Sequence, residues 1–198
     1  MTLDQLRPRF GHLLQPLARL SLRARLTPDS CSAIAFAASV ASGFAFALSQ
    51  VGWGVVLVAA NALLDAVDGA LAREMKVASL KGDFLDHVLD RYADIFIITG
   101  IFAGGLAPWQ IGIFGLTGVL MSSYLGTQAQ AVGIGRYYGG TLGRADRLVL
   151  IVAAGLISLA IPSGFLGLPV LAWLLLIFGI FGHATAIQRF AYVWQRIK

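Results

Sequence analysis

Between residues 65 and 90 the chain carries Asp65-x2-Asp68-Gly69, then Ala72-Arg73, then Gly82, Asp86 and Asp90. Asp65 and Asp68 are three residues apart and Asp86 and Asp90 four apart, so each pair shares one face of a helix. Oxygen-only donors of this type suit hard cations such as Mg²⁺ or Mn²⁺, and four carboxylates are enough for two ions. Two such ions can hold a diphosphate and stabilise both the attacking and the leaving oxygen of an in-line displacement. Gly69 and Gly82 leave room for a ligand to approach the backbone, and Arg73 can grip a phosphate through two parallel hydrogen bonds. Glycines that serve helix packing, and an Asp–Arg pair that neutralises itself in a membrane, are the blander reading. That reading accounts for one pair; it does not account for four aspartates in register.

The elements that must position these groups are membrane helices. The chain has 198 residues, 58% of them hydrophobic and only 13% charged, which is too apolar for an ordinary soluble domain. Apolar stretches of near twenty residues, bounded by glycines, prolines and charges, predict six transmembrane helices at about 31–50, 52–72, 84–105, 109–132, 147–162 and 165–188. Ahead of them, Leu3, Leu6, Phe10, Leu13, Leu14, Leu17 and Leu20 recur every three or four residues, with arginines on other faces. This pattern describes an amphipathic helix lying in the membrane interface, divided by Pro8 and Pro16. Thr27-Pro28-Asp29-Ser30 reads as a capped turn into the first span. The expected architecture is all-α and integral to the membrane. It forms a single domain over 1–198, with an interfacial helix and turn at 1–28 and a six-helix bundle at 29–190.

Charge orients the bundle. In this layout all 15 Lys and Arg fall on one side, and the turns near 49–53, 105–109 and 162–166 carry no charged residue. The positive-inside rule then places both termini, the charged loops and the aspartates at the cytoplasmic face of a multi-pass cell-membrane protein. A net charge of +5 is explained by anionic lipid. No interleaving of aromatic and basic residues argues for nucleic acid. Cys31 is alone, which excludes an intrachain disulfide and a cysteine metal site. Residues 3–25 hold five arginines and two prolines without a continuous apolar core, so no secretory leader is expected.

The whole run Asp65-x2-Asp68-Gly69-x2-Ala72-Arg73-x8-Gly82-x3-Asp86-x3-Asp90 resembles the signature of the CDP-alcohol phosphotransferases, with no position missing. The resemblance implies transfer of a phospholipid phosphoryl group from a CDP-linked lipid to an alcohol, with release of CMP. It implies that Asp65, Asp68, Asp86 and Asp90 hold two divalent ions, and that Gly69, Ala72, Arg73 and Gly82 line the CDP site. It also implies that Asp90 takes the proton of the acceptor hydroxyl and that the protein is a homodimer. Thr27-Pro28-Asp29 is similar to the family's segment before the first membrane helix, which brings Asp29 towards the nucleotide; Ser32 stands where a threonine is common. Asp94 continues the Asp86–Asp90 face by one turn, as a support for the cluster or in helix pairing. His87 points about 100° away from Asp86 and is not counted as a ligand.

For the acceptor, Arg136, Arg144 and Arg147 gather at the cytoplasmic ends of spans four and five. Arg144 and Arg147 open a helix, where the dipole also favours anions, and are expected to bind a phosphate on the acceptor. Residues 123–133 and 143–148 look most like the family's archaeal branch, which makes archaetidylinositol phosphate. They also resemble the bacterial enzymes that make phosphatidylinositol phosphate. Those often carry a lysine and an arginine where this chain has Gly126 and Gln128; Gln128 is taken as an acceptor ligand. Inositol phosphate is therefore the expected acceptor, ahead of glycerol 3-phosphate and of serine or inositol. A cation transporter is the remote alternative, disfavoured because no inverted repeat places the acids at mid-membrane.

Overall fold

The computed structural model describes residues 27–75, 79–135, 137 and 139–197, together with Pro16. The interfacial helix expected before residue 27 and the side chains of Arg73 and Arg136 lie outside the described residues. Among the described residues six helices follow one another: α1 (Pro28–Ala47), α2 (Val51–Met75), α3 (Leu80–Ala103), α4 (Trp109–Ala131), α5 (Arg144–Ala160) and α6 (Val170–Trp194). Among the described residues there is no strand, only an isolated bridge between Phe165 and Leu168. Three helical stretches, Pro28–Ala47, Val51–Ala72 and Val170–Trp194, are long and apolar enough to cross a membrane.

Local chemistry fixes the helix starts nearest the aspartates. Ser30 N–H donates to Thr27 Oγ1 over 3.2 Å while Thr27 N–H donates to Ser30 Oγ over 2.9 Å. Pro28 fills the first turn, where no N–H is needed. Ser79 Oγ accepts from Gly82 N–H at 3.1 Å and starts α3. Gly143 N–H donates to Asp146 Oδ2 at 2.8 Å, which fixes the first turn of α5 and with it Arg144 and Arg147.

Helix α1 packs on α2 and α3, α4 packs on α6, and the two groups meet where α3 packs on α4 and where α5 packs on α2 and α6. Glycines set both main seams. A methyl on Gly43 would lie 2.5 Å from the Phe96 carbonyl oxygen, and one on Gly100 would run into the Gly43 carbonyl. Across the other seam a methyl on Gly118 would come within 2.9 Å of the Gly179 carbonyl oxygen. Small residues let helix backbones approach this closely. Phe46, Ile97, Ile98, Ile101, Val119, Leu148, Leu171, Leu175 and Phe178 fill the centre. Large apolar side chains such as Phe44, Trp53, Trp109 and Ile187 face outwards as well.

The last helix departs from the expectation. It begins at Val170, not near 165, and runs to Trp194, past Arg189. The apolar stretch ahead of it folds into a tight turn instead, with Gly164, Leu166 and Gly167 at positive φ and Pro169 at the helix start. Hydropathy alone does not separate such a turn from a helix; the glycine and proline spacing does.

Candidate active site

The aspartates meet where the ends of α2 and α3 come together. Asp65, Asp68 and Asp86 each bring a carboxylate oxygen within 4.8 Å of the others, and so do Asp86 and Asp90 with a ring nitrogen of His87. Asp86 is common to both groups. Each pair lies together on its helix, and His87, which the sequence reading set aside, joins Asp86 and Asp90. Its Nε2 lies 3.3 Å from Asp83 Oδ1, one helical turn back, which draws the ring towards the acidic side. The first group, with oxygen donors alone from two helices, suits a hard divalent ion.

Neighbouring groups hold these carboxylates in place. Ser32 Oγ on α1 donates to Asp68 Oδ2 at 2.8 Å, and Asp68 is only 8% exposed. Arg144 comes in from α5. Its Nη1 lies 2.5 Å from Asp65 Oδ1 and 2.8 Å from Asp90 Oδ1, so one guanidinium nitrogen serves both helices. Arg91 adds a longer contact to Asp90, at 3.8 Å. One turn deeper, Asp94 and Arg147 form a buried pair at 2.8 Å, with Arg91 Nη1 at 3.4 Å from the same carboxylate oxygen. Such charges stay buried only when paired and hydrogen-bonded.

A cavity of about 1080 Å³ opens beside the cluster, and Asp65, Asp68, Asp86, Asp90, Arg144, Arg147 and Arg189 all border it. Clefts that take small ligands run to roughly 300–1,000 Å³, so this one has room for two substrates. Gly69 borders the cavity as well. Gly82 sits against Asp29, whose carboxylate oxygen would be 3.9 Å from a methyl there. Ala72 is half-buried further along α2.

On the acceptor side the outcome is divided. Arg144 and Arg147 border the cavity, but the Arg147 guanidinium, expected at a phosphate, is engaged by Asp94. Gln128 is not among the described residues bordering the cavity, whereas Gln130 is. Two positions on a helix point about 200° apart, and only one of them can face the site. Arg189 is the residue that the sequence reading missed. From α6 it donates through Nε to Gly139 O at 2.7 Å and through Nη1 to Ser122 O at 2.5 Å, so it ties the loop between α4 and α5 to the cavity wall. The available signal was a cation placed inside the final apolar helix and not after it.

Residues 25–186 match the CDP-alcohol phosphatidyltransferase family. An archaetidylinositol phosphate synthase of Methanothermobacter thermautotrophicus is 34% identical over 196 residues, covering 99% of this chain and 96% of the relative. A phosphatidylinositol phosphate synthase of Streptomyces avermitilis is 30% identical over 91% of this chain and 77% of its own. The crystal structure of Mycobacterium tuberculosis phosphatidylinositol phosphate synthase with CDP-DAG bound superposes with a TM-score of 0.77 at 27% identity, over 92% of this chain and 94% of that one. The same enzyme in complex with manganese and citrate gives 0.77 over 91% and 88%.

Proposed function

The chain belongs to the CDP-alcohol phosphatidyltransferase family, and on that premise we propose that it transfers the phospholipid phosphoryl group of a CDP-linked lipid, CDP-archaeol or CDP-diacylglycerol, to inositol phosphate. CMP is the second product. The observation that carries this reading is one cavity bordered by all four signature aspartates and by three arginines. Glycerol 3-phosphate is the runner-up acceptor, because the same arginines suit any phosphorylated polyol.

Each group then has a task. Asp65, Asp68, Asp86 and Asp90 hold two divalent ions, Mg²⁺ or Mn²⁺, with Asp86 shared between them as its place in both clusters suggests. Those ions supply charge neutralisation for the diphosphate and its leaving oxygen. Asp29, Gly69, Ala72, Arg73 and Gly82 receive the CDP moiety. Arg144 anchors the acceptor phosphate, with Arg147 and Arg136 adding positive charge around it and Gln128 on the same helix as the polyol-facing Gln130. Asp90 takes the proton of the attacking hydroxyl. Arg144 touches Asp90 at 2.8 Å, so a phosphate held by Arg144 brings its own polyol within reach of that carboxylate.

The proposed setting is a multi-pass cell-membrane protein forming one domain, with six spanning helices and an interfacial helix before them. Helix α4 supports the count, since its 23 residues contain no charged side chain although polar ones lower its hydropathy. Both termini and the cavity face the cytoplasm by the charge rule, and the working unit is a homodimer, as the family resemblance implies.

The test is CMP release by purified protein given CDP-lipid, Mg²⁺ or Mn²⁺ and a panel of alcohols. Inositol phosphate is expected to support the fastest release, and Asp90→Asn to lose at least about 10²-fold in rate. No CMP with any alcohol overturns the reading; release with glycerol 3-phosphate alone moves it to the runner-up.

A further inference from the structure

A second and much smaller cavity shares Asp65, Asp86, Asp90 and Arg144 with the large one. It is bordered by Asn61, Asp65, Asp86, Asp90 and Arg144, with room of about 10 Å³ for the centre of a water-sized sphere. A single water needs roughly 10–15 Å³ on this measure. Among the described residues three buried side-chain atoms lack a partner, Asn61 Oδ1, Arg144 Nε and Arg147 Nε, and the first two belong to residues that border this cavity. Asn61 is 1% exposed, and Arg144's side chain 10%. Buried polar atoms without a partner are rare, and two bordering one cavity share a cause.

The orientation of Asn61 is fixed. Its Nδ2 donates to Ala35 O on α1 at 2.8 Å, and a flipped amide would set two carbonyl oxygens against each other. Oδ1 is thus committed to the other side. The orphaned pair is one acceptor, Asn61 Oδ1, and one donor, Arg144 Nε. A metal ion can satisfy the first but not the second. A water satisfies both, and its remaining O–H can be accepted by a carboxylate of the same cavity.

We infer that this inner cavity binds one structural water, which accepts from Arg144 Nε and donates to Asn61 Oδ1, and that Asn61 is a positioning residue for Arg144. The water fixes the guanidinium plane from behind, so that Nη1 stays on Asp65 and Asp90. Asn61 precedes Asp65 by one helical turn and shares its face. The water site stands on the geometry alone; the catalytic consequence rests on the reaction proposed above.

Two measurements test this. An experimental structure of the full chain, at a resolution that shows ordered waters, is expected to place one within about 3.2 Å of both Asn61 Oδ1 and Arg144 Nε; a dry cavity overturns the site. The second measurement compares Asn61→Leu, which keeps the volume but removes the acceptor, with Ser42→Ala. Ser42 donates to Gly54 O at 3.0 Å and is another buried link between α1 and α2, remote from the cavity. Asn61→Leu is expected to lower kcat and raise the acceptor KM, together about tenfold or more in kcat/KM. Ser42→Ala should lose thermal stability with kinetics intact, and Asn61→Ser, which restores an acceptor, should recover most of the rate. Equal kinetic losses in Asn61→Leu and Ser42→Ala overturn the positioning role. If the wild-type protein releases no CMP with any alcohol, the proposed reaction fails and the positioning role with it, while the water density still decides the site.

Discussion

Arg144 and Asp65 are joined across 79 positions of sequence by a contact of 2.5 Å between Nη1 and Oδ1. The same nitrogen reaches Asp90, so the arginine proposed to bind the acceptor also touches the aspartate cluster and the proposed base. Arg144→Lys keeps the charge but loses the planar fork. The acceptor KM is expected to rise by about tenfold in steady-state CMP release, with a smaller change in the CDP-lipid KM. Equal changes in both would argue that Arg144 serves the fold and not the acceptor.

Asp86 contributes to both clusters whereas Asp68 contributes to one. In a titration of free Mn²⁺ by electron paramagnetic resonance, Asp86→Asn should therefore weaken binding more than Asp68→Asn, by about tenfold or beyond. Chelation of divalent ions should abolish CMP release, and Mn²⁺ or Mg²⁺, but not K⁺, should restore it.

Asp94 and Arg147 are 4% and 6% exposed and pair at 2.8 Å, so each is costly without the other. Asp94→Asn or Arg147→Met alone is expected to destabilise the detergent-solubilised protein by about 3–5 kcal/mol. The double variant Asp94→Leu/Arg147→Met should cost much less than the sum, because no charge is left unpaired. Thermal unfolding followed by tryptophan fluorescence reads the cycle.

Gly100→Ala drives a methyl into the carbonyl of Gly43, with backbone on both sides and nothing flexible to yield. A loss of about 1–3 kcal/mol is expected. Gly52→Ala provides the control: nothing lies within 4 Å of a methyl there, and the change should be neutral or slightly stabilising.

The sequence carried the parts of the site that lie on one element or on two adjacent ones. Asp65 with Asp68, and Asp86 with Asp90, are legible because helical periodicity alone decides their faces. The cap at Thr27 is legible because it is local chemistry. Contacts that depend on how α5 and α6 dock are not. Arg147 reads equally well as a phosphate ligand or as the partner of Asp94, and only the packing of α5 decides between them. Arg189 lies far down the chain from the signature, and no spacing rule reaches it. Gln128 and Gln130 differ only in which way α4 is turned, a rotation set by its seam with α6. Asn61 did carry a signal, a lone amide in an apolar span one turn before Asp65, but its meaning needs the cavity it borders.

The two glycine seams have a mechanical consequence. One locks α1 to α3, with α2 packed alongside, and so holds the two helices that carry the four aspartates in one half. The other locks α4 to α6 and carries Arg189. Helix α5 links the halves and holds Arg144 across the gap. The carboxylates sit on one jaw and Arg189 on the other, with Arg144 reaching from α5 to the carboxylates.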